Sequence, residues 1–109
     1  MMHTYDAVCV NSVQHVMEVF GNKWAFLILE QLHIGKMRFN QLQKALQIST
    51  KSLSDTLKHL EKHGIISRTV IPTVPVTVEY NLTVKGRAFD SVLLSMKEWN
   101  RNWNSPAEH

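Results

Sequence analysis

The sequence predicts a mainly α-helical fold with a small antiparallel β-hairpin: a winged helix-turn-helix, four helices before the hairpin and one after it. Three observations carry that reading. Two short amphipathic segments, residues 39–46 and 49–64, are separated only by Gln47 and Ile48, so they must cross steeply. After Gly64 the apolar period changes from 3.6 to 2 over residues 66–71 and 76–82. Finally, Phe89, Val92, Met96, Trp99 and Trp103 are spaced 3, 4, 3 and 4 apart, the seam of a helix that packs along another helix.

Residues 1–11 show no helical period; with Tyr5, Val8 and Val10 they read as an extended arm. Residues 12–20 form a first helix on the stripe Val13, Val16, Met17 and Phe20, with Asn11 or Ser12 as cap and Gly21 as terminator. Asn22 caps a second helix running to about Leu32, with Trp24, Leu27, Ile28 and Leu32 inward. Ala25, Phe26 and Leu29 make that helix apolar nearly all round, which places it at the domain centre or against a partner subunit. Phe20, Trp24 and Phe26 are read as core aromatics rather than as a pocket lining. Gly35 breaks the chain, and Lys36-Met37-Arg38 is a short extended link.

Phe39, Leu42 and Leu46 lie on one face of the third helix. In the fourth, Ser49 is the N-cap, Leu53, Leu57 and Leu60 face inward, and Gly64 takes the left-handed turn that ends the helix. Its outward side carries Lys51, Ser54, Asp55, Lys58 and Lys62. The hairpin that follows has Pro72-Thr73-Val74-Pro75 at its tip, and a hairpin directly after a helix-turn-helix is a wing. Thr83 caps the last helix. At ~1.5 Å per residue that helix is about 30 Å long, more than a domain of this size covers by itself. Its two tryptophans call for a partner, so the expected assembly is a homodimer through the terminal helices.

Composition bounds the function. The chain has 109 residues, 44% hydrophobic and 19% charged, which fits one domain spanning residues 1–109. No apolar run approaches the ~20 residues needed to cross a bilayer, and the first residues lack the basic and apolar regions of a signal peptide, so a cytoplasmic location is expected. A single cysteine, Cys9, allows no disulfide within one chain. Cys9 is either a small buried residue or a thiol that senses oxidants or electrophiles, and sequence leaves both open. Between Lys36 and Arg68 seven basic residues face two acids, a net +5, while the rest of the chain is net −2. That is a focused cationic footprint around the helix-turn-helix, suited to double-stranded DNA.

Ser49, Thr50, Lys51 and Ser54 are therefore the candidates for base or first-phosphate contacts, and Lys36, Arg38, Lys58 and Arg68 for phosphate contacts. His59 and His63, four residues apart, offer two metal ligands without a third, so no metal or other cofactor is expected. Neither paired carboxylates nor a nucleophile with its base nor a phosphate loop is present, which argues against an enzyme. The competing class is a winged-helix module for protein association.

Several local patterns together resemble the HxlR family of bacterial winged-helix transcription regulators, a MarR-like group. They are Cys9 near the start, Gly21-Asn22-Lys23-Trp24, Arg38-Phe39-Asn40-Gln41-Leu42, Ile48-Ser49 with Leu53, Leu57 and Leu60, Gly64-Ile65-Ile66-Ser67-Arg68, the run from Pro75 to Thr83, and Gly86 and Trp99. The resemblance implies a dimeric repressor or activator on an inverted-repeat operator. In some members of the family the cysteine at the position of Cys9 senses quinones, aldehydes or hypochlorite; a small-molecule effector of this chain stays unidentified. The chain departs from the family pattern in three ways: Val10 stands where a proline often follows the cysteine, Gln41 where an acid is common, and residues 69–78 of the wing hold no Lys or Arg. A neutral wing leaves most phosphate contacts to the fourth helix, Lys36 and Arg38.

Overall fold

The computed structural model describes the backbone of residues 7–104 and the side chains of residues 11–104. Its elements run α1 (Ala7–Phe20), α2 (Lys23–Ile34), β1 (Met37–Arg38), α3 (Phe39–Leu46), α4 (Thr50–Lys62), β2 (Ile66–Ile71), β3 (Thr77–Leu82), α5 (Val84–Arg87) and α6 (Asp90–Asn104). The strands form an antiparallel sheet in the order β1-β3-β2. Mainly helical with a small sheet, it is the winged helix-turn-helix that the periodicities predict.

Local chemistry sets most boundaries. Asn22 Oδ1 accepts from the Trp24 and Ala25 amides at 2.9 and 3.3 Å and opens α2. The Ser49 hydroxyl accepts from the Ser52 amide at 3.1 Å and opens α4. Gly21 and Gly64, at φ 80° and 73°, take the left-handed turns after α1 and α4 at little steric cost. In α3 the Gln41 side chain accepts from the Arg38 amide at 2.8 Å, the backward half of a capping box. The residue that departs from the family pattern thus has a local role.

The core lies where α2, α3 and α4 meet over the sheet. Ile28, Leu29 and Leu32 of α2, Leu42 of α3, and Leu53, Leu57 and Leu60 of α4 are its largest fully buried side chains. Each contributes ~1.5–3 kcal/mol relative to an exposed side chain, so the inner stripe of α4 fixes that helix's orientation and turns its polar side outward.

Four expectations need correction. First, α1 covers Ala7–Phe20 of the described residues, so residues 7–11 are helical rather than an extended arm, and Asn11 and Ser12 lie inside the helix instead of capping it. Residues 1–20 contain no Gly or Pro, and without a breaker the helical period runs through those two polar residues. The rest of the arm, including Tyr5, and the Cys9 side chain lie outside the described residues. Second, Leu27 is exposed; the inner face of α2 is Ala25, Ile28, Leu29 and Leu32. Third, the link through Met37 and Arg38 is a strand, pairing with Tyr80 and Glu79 and adding a third member to the hairpin.

The fourth concerns the last helix, which is split at Ala88-Phe89 into α5 and α6. The Thr83 hydroxyl donates to the Gly64 carbonyl at 2.5 Å and accepts from the Gly86 amide at 3.0 Å, fastening α5 to the end of α4. Phe89 then turns inward onto Phe20, with ring centroids 4.3 Å apart, and Phe20 stacks on Phe26 at 4.8 Å. Phe89 therefore packs in its own protomer's aromatic cluster and leaves the exposed seam to Val92, Met96, Trp99 and Trp103.

Candidate nucleic-acid interface

The outward side of α4 and the base of the wing enclose an open groove of about 470 Å³, lined by Phe39, Ser54, Leu57, Lys58, Glu61, Arg68 and Tyr80. It exists because Leu57 and Tyr80 are drawn down into the core, leaving Ser54, Lys58 and Arg68 at the rim. Residues 10 to 14 positions apart in sequence thus meet as one polar, mostly cationic edge. Among the described residues neither Lys58 nor Arg68 is in an ion pair, and both are exposed. A second groove, of about 340 Å³, is lined by Arg38, Phe39, Asn40 and residues 75–78 of the wing, so Arg38 stands beside the first groove.

The remaining candidates are placed less simply. Lys36 Nζ lies 3.6 Å from a Glu79 oxygen, so its charge is partly answered by the wing. Lys51 Nζ lies 2.9 Å from Asp55 Oδ2 on the same helix, an exposed pair worth a few tenths of a kcal/mol and easily exchanged for a phosphate. The Ser49 oxygen is occupied by capping, whereas Thr50 and Lys51 sit exposed in the first helical turn, where unpaired amides and the helix dipole favour an anion.

Sequence reasoning missed Gln43. Its amide nitrogen reaches the Ile48 carbonyl at 3.3 Å and Thr50 Oγ1 at 2.9 Å, bridging α3, the turn and the first residue of α4. A glutamine on a helix facing the turn five residues on is the one local signal for it. Missed as well was the tie between α4 and α1, in which His59 Nε2 lies 2.9 Å from the Glu18 carbonyl. That carbonyl can only accept, so this nitrogen carries the proton.

The His59 and His63 rings stand 4.5 Å apart. Desolvation, and then the neighbouring charges of His59, Lys62, Lys85 and His15, hold His63 below the ordinary histidine pKa. In an NMR titration His63 should protonate below about 6.5. Because the folded chain takes up that proton later than the unfolded chain, the contribution of His63 to stability is lost as pH falls through 6.5 and levels off below the folded midpoint. A midpoint above 6.5 would contradict the placement.

A polar, cationic edge on the second helix of a helix-turn-helix, flanked by a wing, is the arrangement of a DNA-binding regulator, and similarity to known proteins decides the family. Residues 19–108 match the family described as HxlR-like helix-turn-helix. The chain belongs to that family. An HTH-type transcriptional regulator of Synechocystis, sll1512, is 45% identical over 92 residues, covering 84% of this chain and 68% of the relative. The crystal structure of the HTH-type transcriptional regulator ytcD is similar to this HxlR-like chain with a TM-score of 0.80 at 37% identity, covering 83% of this chain and 93% of that one. The redox regulator HypR in its reduced form superposes with a TM-score of 0.80 at 35% identity, covering 89% and 97%. The first two are regulators of transcription, not enzymes, and no helix among the described residues is long and apolar enough to cross a membrane.

Proposed function

We propose that this chain regulates transcription by binding double-stranded DNA as a homodimer on an inverted repeat. The observation that carries the reading is the edge formed by half-buried Ser54 and exposed Lys58 of α4 with exposed Arg68 of β2, beside a helix whose opposite stripe is locked in the core. In this reading two α4 helices, about 34 Å apart, enter successive major grooves. Lys58, Arg68 and Arg38 hold phosphates, with Lys36 and Lys51 joining once released from Glu79 and Asp55. Ser49, Thr50 and Ser54 lie at the base edges or the first phosphate. The partner subunit covers Val92, Met96, Trp99 and Trp103 of α6, together with Val13, Val16 and Met17 of α1, all exposed in the single chain.

Titration of promoter DNA at several salt concentrations tests this. Lys58→Ala should weaken binding to all sequences alike and reduce the salt slope by about one, because it removes one phosphate contact. Ser54→Ala should instead change the preference among sequences. Unchanged affinity in both variants would remove α4 as the reader and favour a protein-association role.

A second reading concerns Cys9, supported by the likeness to a redox regulator. In it Cys9, the chain's one cysteine, is a sensor thiol in α1 that a two-electron oxidant such as a peroxide or hypochlorite converts to an intersubunit or mixed disulfide, or that adds to an electrophile to give an adduct. Timed alkylation of the native protein decides, since a thiol that reacts no faster than a buried one is structural.

A further inference from the structure

We infer that Gln43 is a positioning residue which fixes the direction of the Thr50 hydroxyl, so that Thr50 meets DNA as a hydrogen-bond donor. The inference rests on the DNA-binding reading above and adds to it a residue and a polarity.

The argument begins at Ile48. Its carbonyl oxygen can only accept, so the Gln43 group 3.3 Å away must be the amide nitrogen and not the amide oxygen. The second hydrogen of that nitrogen then points at Thr50 Oγ1, 2.9 Å away, and the threonine oxygen is the acceptor there. A hydroxyl that accepts from the inside keeps one hydrogen, and that hydrogen is directed away from Gln43. Thr50 is exposed at the first position of α4, so the hydrogen is offered to solvent or to a phosphate or base acceptor.

The same side chain steadies the turn. Gln47 lies between the two helices at φ 51°, a left-handed conformation that is strained for a non-glycine residue. Gln43 spans it, holding the residue after the strained position and the first residue of the reader helix with one amide group. In the free protein the hydroxyl is thus already set toward the place where DNA would lie, so no rotamer search is left for the complex.

Two substitutions separate orientation from mere support. Gln43→Glu keeps the shape but offers only acceptors, which draws the Thr50 hydrogen inward; Gln43→Met keeps the length and removes the polarity. The probes are the duplex enriched by the wild-type chain from a randomised pool and an unselected duplex of the same length. Gln43→Glu should bind the enriched duplex about ten-fold more weakly than wild type, after correction for its loss on the unselected duplex, which reports the added negative charge. Gln43→Met should lose roughly three-fold, its hydroxyl being free to turn.

Thr50→Val supplies the readout that a purely structural role would not move. It should weaken the wild-type chain by about the same ten-fold yet add nothing in the Gln43→Glu background. The inference is overturned if Thr50→Val costs as much in both backgrounds, or if Gln43→Glu and Gln43→Met bind as wild type does. A wild-type chain that enriches no duplex overturns the DNA-binding reading itself, a result distinguishable from the other two.

Discussion

Gly86→Ala is expected to lower the unfolding free energy by about 3 kcal/mol, and urea titration followed by circular dichroism measures it. Gly86 is buried where α5 crosses the junction of α4 and β2, and an added methyl group would overlap the Ile65 carbonyl oxygen and press on Leu82 Cδ2 at 3.2 Å. Neither neighbour can move away cheaply. The Ile65 carbonyl already accepts from the Thr83 amide at 3.1 Å, and Leu82 is buried in the core beside Tyr80. Relief would require lifting α5, which would break the Thr83 cap and pull Phe89 from the aromatic cluster. Gly35→Ala is the control: nothing lies within 4 Å of its new methyl group and its φ of 163° is ordinary extended backbone, so stability should change by less than about 0.5 kcal/mol. A loss below 1 kcal/mol at Gly86 would mean that α5 is not wedged against β2.

If the chain assembles as proposed, Trp99→Glu is expected to sediment as a monomer where the wild type sediments as a dimer, and to weaken binding to a duplex with two half-sites by about 100-fold or more. Binding to a single half-site should stay unchanged. The reasoning is one of exposure: Trp99 is 61% exposed and Trp103 72% in the single chain, so a charge at position 99 costs the protomer little but places a carboxylate inside an apolar seam with Val92 and Met96. Two half-sites held by one rigid assembly bind with the benefit of high effective concentration, and that benefit disappears with the assembly. A stable protomer that still sediments as a dimer would place the interface elsewhere. Paired with the Lys58→Ala salt slope, this result separates loss of assembly from loss of phosphate contact.

Much of the fold was legible because its signals are local. Asn22, Ser49 and Thr83 each stand before a helical period with an acceptor oxygen at the N-cap, and each caps the helix it precedes. The stripe of Leu53, Leu57 and Leu60 is buried, and the alternation after Gly64 is a strand pair. The start of α1 was not legible, because Asn11 and Ser12 have the chemistry of caps and only the absence of a breaker upstream argued otherwise. Leu27 misled for a related reason: in a helix apolar nearly all round, periodicity does not say which side the neighbours will cover.

The sequence by itself determined the order of the helix-turn-helix, the wing and the last helical segment, the caps at Asn22, Ser49 and Thr83, the buried face of α4 and the concentration of positive charge around it, since caps, periods and charge counts depend on residues within a few positions of one another. Only the tertiary structure decided which cations stand free. Lys36 meets Glu79 through a strand pairing across more than forty residues, Arg68 reaches Lys58 by the turn at Gly64 and the path of β2, and Phe89 leaves the outer seam because Phe20 and Phe26 wait beneath it. Such choices depend on distances between segments far apart in the chain, and these distances are set by packing rather than by any local pattern.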